Sequence, residues 1–190
     1  LDPKIMLKDK ALGWFVLSTF FGTLTFGTFA SCISQYLLVV YDAKLAESAI
    51  AVILPVNAAI VVSLQYIVGK QVVAERLRKL MTLGTLFFIL GLAGFMLAGD
   101  NLIFWAMAIA IFTFGELIYA PGEYMMIDNI APLGMKASYF SAQSLGWLGA
   151  ALNPLASGYI LTTLPPISLF AILMGIAVLA WLCMLQGMNY

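Results

Sequence analysis

Two carboxylates stand where carboxylates are costly. Glu116 and Glu123 fall within an apolar run over residues 102–126. Charged groups deep in a bilayer face a bundle interior or a water-filled cavity, and mark proton or substrate pathways. Seven residues apart, the two lie about 20° from a common helix face. Counted from Leu102, Glu116 is about 21 Å and Glu123 about 31 Å along a helix axis, against a hydrocarbon core about 30 Å thick. Glu116, at depth and with no Lys or Arg in any apolar run to neutralise it, can take up and release a proton. It is the proton-coupling candidate. Glu123 reads as an interfacial residue that stays ionised and forms a structural ion pair with Lys136 or a loop arginine. Pro121 lies between them and predicts a kink, because proline removes one helical hydrogen bond.

Uncharged polar side chains form the second group. Thr28, Ser31 and Gln35 follow a helical i, i+3, i+7 pattern. The next run holds Pro55, Asn57 and Gln65, and a later one holds Ser138, Ser141, Gln143, Ser144 and Asn153. An amide in lipid needs partners, which a water-filled cavity supplies. Ser31, Gln35, Asn57, Tyr119, Gln143 and Asn153 are therefore candidates for lining a substrate cavity. The alternative is helix–helix packing, with small residues allowing close approach and amides bonding across helices.

These residues must be positioned by membrane-spanning helices. The 190-residue chain is 63% hydrophobic and 9% charged, against about 45–50% and 25% in an average soluble domain. Mean hydropathy is +1.03. A span needs about 20 apolar residues, and six stretches qualify: 11–40, 46–68, 80–98, 102–126, 137–161 and 167–186. The predicted fold is all-α and integral to the membrane: a cytoplasmic linker over 1–10, then a six-helix bundle over 11–187. Eight of the nine basic residues (Lys4, Lys8, Lys10, Lys70, Arg76, Arg78, Lys79 and Lys136) flank one side of these spans, and Lys44 alone the other. Positive charge concentrates in the cytoplasm, so both termini are expected inside. Trp14, Trp181 and Trp105 fall near predicted interfaces and read as anchors, whereas Trp147 lies mid-span. No cleavable leader is recognisable, and a first residue other than methionine suggests a piece of a longer polypeptide.

Several chemistries are disfavoured. With no histidine and only Cys32 and Cys183, a zinc site or a Ser–His triad cannot be assembled. No catalytic residue, metal or cofactor is expected, so an enzyme is not. Zero net charge offers no basic face to nucleic acid. A transporter and a non-transporting membrane scaffold remain.

The residues resemble one half of a major facilitator superfamily transporter over about residues 8–186. Gly69, Glu75, Arg76, Arg78 and Lys79 loosely match the family's cytoplasmic loop signature between its second and third helices. The run from Gly146 through Gly149, Asn153 and Pro154 to Gly158 is similar to the glycine–proline helix of the family's antiporters, in its C-terminal version. Residues 29–36, 54–58, 115–124 and 136–146 resemble the drug/proton antiporter branch, in particular an enterobacterial inner-membrane exporter of dipeptides and other small molecules. The resemblance implies helices seven to twelve of a twelve-helix parent, alternating access, and a site between the halves near mid-membrane. The implied partners are a small-molecule substrate, a proton, the bilayer and an N-terminal six-helix half. An isolated half is expected to dimerise or be unstable.

Overall fold

The computed structural model describes residues 3–190, and among these the regular structure is helical throughout. The first two residues of the expected linker lie outside the described residues. A short α1 (Pro3–Lys8) leads into α2 (Lys10–Phe26), α3 (Phe29–Val40) and α4 (Ala43–Gln71). After a single 3₁₀ turn, Ala74–Arg76, come α5 (Leu77–Ala98), α6 (Leu102–Ile130), α7 (Lys136–Gln143), α8 (Leu148–Thr163) and α9 (Ser168–Met188).

Polar residues start the helices where the sequence breaks. Asp9 accepts from the Leu12 amide at 3.1 Å and Asp42 from the Leu45 amide at 2.8 Å. Asn101 accepts from Ile103 at 3.0 Å and Phe104 at 3.4 Å. Each satisfies donors left free by a first helical turn. Gly99, Asp100 and Asn101 turn α5 back onto α6, and these two form the most extensive helix pair. Next comes α2 against α9, where Ser18 donates to the Ala180 carbonyl at 2.7 Å. Helix α4 leans on α6 and α3 and is the least enclosed of the long helices.

The core is aromatic toward the end where α6 begins. Trp105, Phe95, Phe112 and Phe170 are buried together, with the Phe95 and Trp105 rings stacked at 5.4 Å and Tyr36 edge-on to Phe170 at 4.6 Å. Trp105 is therefore not an interfacial anchor. It is fully enclosed, and its indole donates to the Gly99 carbonyl at 2.9 Å, inside the α5–α6 turn. Trp147 is half exposed.

Helices α4, α6, α9 and the stretch Ala74–Ala98 are each long and apolar enough to cross a membrane. The expected span over 11–40 is broken: α2 and α3 pass the same test only as a pair, bent by 44° at Gly27 and Thr28. The expected span over 137–161 is broken too, by a 3₁₀ turn at Ser144–Trp147, leaving α8 with 16 residues, about 24 Å of helix. Four spans, or five counting the bent pair, thus stand on length and composition where six were expected. The kink expected at Pro121 does not break its helix, since α6 runs continuously from Leu102 to Ile130.

Both interruptions occur where the two broken helices meet. Gly27 faces Ala150, Thr28 donates to the Ala150 carbonyl at 3.5 Å, and Thr23 donates to the Gly146 carbonyl at 2.8 Å. Gly149 lets the backbones touch: a Cβ there would strike the Phe20 carbonyl and come within 2.9 Å of the Leu24 amide.

Candidate functional site

Helices α4 and α6 enclose a groove of about 490 Å³, within the 300–1,000 Å³ typical of small-molecule sites. Its walls include Val61, Gln65 and Tyr66 from α4, Glu116 and Pro121 from α6, and Phe26 from the end of α2. Helix periodicity puts Glu116 on the α4-facing side of α6. Asn57, two turns before Gln65 on α4, fixes it by donating to Glu116 Oε1 at 3.4 Å and to Thr113 Oγ1 at 2.8 Å. Thr113 in turn donates to the Ile109 carbonyl at 2.7 Å. Glu116 is half-buried, so its carboxyl borders the groove while an amide holds one oxygen. Among the described residues, no basic side chain lines the groove, although Lys70 lies over the ring of the lining Tyr66 at 4.9 Å. A half-buried carboxyl of this kind can exchange a proton or meet a cationic group.

The remaining candidates separate into groups. Ser31 and Gln35 lie on α3, where the Gln35 amide donates to Ser31 at 3.4 Å and to the Pro154 carbonyl at 3.5 Å. Asn153, buried on α8, donates to the Leu24 carbonyl at 2.6 Å and accepts from Ser157 at 3.3 Å. Tyr119 shares a 2.7 Å hydrogen bond with Thr85 of α5. Gln143 donates to the Glu123 backbone carbonyl at 2.8 Å and to Thr19 at 3.4 Å. Asn57 alone of the six is brought to Glu116.

Glu123 does not meet Lys136. Lys136 pairs with Asp128 at 2.7 Å, and that carboxylate holds its ammonium above the ordinary lysine range. Asp128 lies more than a turn closer to the loop and takes the cation first. Glu123 points inward instead, only 3% exposed, and its Oε1 has no hydrogen-bond partner.

In the loop signature, Gly69 borders the groove, Arg76 donates to Gln71 at 2.8 Å and Arg78 to Asn189 at 3.4 Å. Glu75 and Arg78 border a separate cleft with Phe15, Asn129 and Tyr190. Phe26, Tyr66 and Thr113 escaped the sequence reading. Thr113 alone carried a usable signal, a hydroxyl one turn before Glu116. Among the described residues, no cluster of His, Cys, Asp and Glu could hold a metal ion.

No family model and no solved structure matches the chain. It is 59% identical over 188 residues to the uncharacterised MFS-type transporter YdeE of Escherichia coli (strain K12), covering 99% of this chain and 48% of that protein. It is 27% identical over 168 residues to a Na(+), Li(+), K(+)/H(+) antiporter of Planococcus maritimus, covering 82% of this chain and 39% of that protein. The chain thus spans about half the length, or less, of the curated relatives it matches. Both relatives are transporters, which couple binding to movement and do not form an enzyme family. With so high an identity over nearly every residue, and a helical bundle of apolar spans, the chain belongs to the major facilitator superfamily of membrane transporters.

Proposed function

We propose that the chain is the C-terminal half of a proton-coupled exporter of small molecules, dipeptides or drug-like compounds, in a bacterial inner membrane. In this reading α2 with α3, and α7 with α8, each make one broken span. That gives six spans over 11–187, with both termini cytoplasmic and 1–10 as the linker from an N-terminal six-helix half. Discontinuous helices are common at the binding sites of such transporters. Alternating access then comes from the two halves rocking about a central cavity.

The observation that carries the proposal is the α4–α6 groove, where Glu116 stands beside Asn57 with no basic residue in the lining. Glu116 loads a proton from one side and releases it to the other as the groove changes exposure. The sparse cover on α4 supports a second half packing there. A second reading rests on the Planococcus maritimus relative: the same carboxyl exchanges a monovalent cation for the proton.

Everted vesicles carrying the full-length protein test both. Glu116→Gln is expected to abolish substrate-induced proton flux while leaving expression intact. Wild-type flux with wild-type pH dependence in that variant sinks the proposal. Flux driven by sodium or potassium alone selects the second reading. The isolated half is expected to dimerise or unfold in detergent, and a stable, monodisperse monomer by light scattering counts against the need for a partner.

A further inference from the structure

Glu123 is enclosed by residues of α2, α6 and α7. On α2, Gly22 lies directly over the carboxyl, so that a Cβ at Gly22 would stand 2.9 Å from Glu123 Oε1 and 3.5 Å from the Tyr119 ring. On α6, Tyr119 borders the same spot, its hydroxyl bound to Thr85 of α5 at 2.7 Å. On α7, Gln143 directs its amide to the Glu123 backbone and to Thr19. The carboxyl is left 3% exposed, with Oε1 unpartnered.

The charges around it are engaged elsewhere. Lys10 of α2 lies over the Tyr190 ring at 5.6 Å, Arg78 of α5 donates to Asn189, and Lys136 of α7 pairs with Asp128 of α6. Lys79 is exposed at the start of α5. Among the described residues, the Tyr119 phenol borders the site, and on α7 the Tyr139 hydroxyl, one turn before Gln143, is taken up by Asp9 at the start of α2. Glu116 lies two turns along α6, beyond Phe26, whose ring lines the Glu116 groove and packs edge-on to Tyr119 at 6.1 Å.

An isolated ionised carboxylate in a low-dielectric interior is far costlier than the neutral acid. The geometry points to a second proton-binding site: Glu123 is a neutral carboxylic acid while α2 seals it, and it gives its proton to water only when Gly22 moves off α6. The packed arrangement then binds one more proton than an arrangement in which Glu123 meets water, so rising pH favours separation of α2 from α6. This inference does not rest on proton coupling at Glu116, because Phe26 and Tyr119 separate the two carboxyls.

Infrared difference spectroscopy of the full-length protein in lipid at neutral pH tests it. Subtracting Glu123→Gln from wild type is expected to leave one protonated-acid carbonyl band. That band persists in Glu116→Gln and is displaced, not lost, in Glu123→Asp. In D₂O the band is expected to shift slowly, and in Gly22→Ala the shift is faster, because a methyl 2.9 Å from Oε1 turns the carboxyl out of its seat beneath α2. Carboxylate bands in place of the acid band would overturn the proposal, as would loss of the acid band in Glu116→Gln. Carboxylate bands that move when sodium replaces potassium would identify a cation site instead. Should Gly22→Ala fail to fold, exchange in the wild type still decides: a complete shift within the mixing time refutes the seal.

Discussion

Substituting Gly149 tests the contact between the two broken helices. A Cβ at Gly149 meets the Phe20 carbonyl, the Leu24 amide at 2.9 Å and Thr23 Oγ1 at 2.6 Å. The first two are backbone atoms, so relief requires α2 to shift as a body. Overpacking of this kind costs about 1–3 kcal/mol. The same shift strains the Thr23 bond to Gly146 and the Asn153 bond to Leu24, each contributing about 0.5–1.5 kcal/mol. Gly175→Ala is the matched control. Gly175 also lies inside a helix, but a Cβ there meets nothing within 4 Å, so alanine should stabilise by up to about 1 kcal/mol. In a chain of this length about 1 kcal/mol moves Tm by roughly 2–4 °C. From the overpacking alone, thermal unfolding in detergent should place Gly149→Ala about 2–12 °C below wild type, with any loss of the two hydrogen bonds adding to this, and Gly175→Ala at or slightly above it. A Gly149→Ala protein as stable as the Gly175→Ala protein would refute the close α2–α8 contact.

Asn57→Ala removes the bonds to Thr113 and Glu116; leaving their polar atoms underpaired should cost about 1–3 kcal/mol and slow export several-fold, measured as Tm and as vesicle flux. Retention of both values would detach Asn57 from the site. In single-tryptophan variants, brominated lipid should quench Trp147 and spare Trp105, which is fully enclosed; equal quenching would place Trp105 at the bilayer surface. For topology, impermeant thiol reagent on intact cells should label a cysteine at Asn101 and miss one at Leu133, a residue 98% exposed in the loop before α7. The reverse pattern would invert the orientation drawn from the basic residues.

Sequence carried the axial coordinate of this protein well. Apolar runs ended by Asp42, Asn101 and the Pro165–Pro166 pair located α4, α6 and α9 closely, because hydropathy and capping are local properties. The same local reading could not see the breaks at Thr28 and at Ser144–Trp147. Gly27, Gly146 and Gly149 mark a break only once α2 and α8 are in contact, and that pairing is a property of two segments more than a hundred residues apart. Glu116 and Glu123 make the same point. Counting residues put them on nearly one face, about 20° and two turns apart, yet at one level that face meets Asn57 of α4 and at the other Gly22 of α2. The sequence pattern carries depth but not which neighbour fills the facing position. An ion pair of Glu123 with Lys136 or a loop arginine is a fair expectation from position alone, but Asp128, little more than one turn further on, takes Lys136.

The Ser18–Ala180 bond between α2 and α9 joins residues 162 positions apart. Polypeptides leave the ribosome at about 5–20 residues per second, so α2 waits on the order of 10–30 s before its principal neighbour exists. The α5–α6 hairpin needs no such delay. During that interval the buried Ser18 hydroxyl lacks its acceptor on α9, and until residue 146 emerges Thr23 has only the Phe20 carbonyl of its own helix. Nascent α2 must therefore be sheltered by the insertion machinery or by an earlier helix. Biogenesis of this bundle is a ring closure whose last step joins its first span to its last.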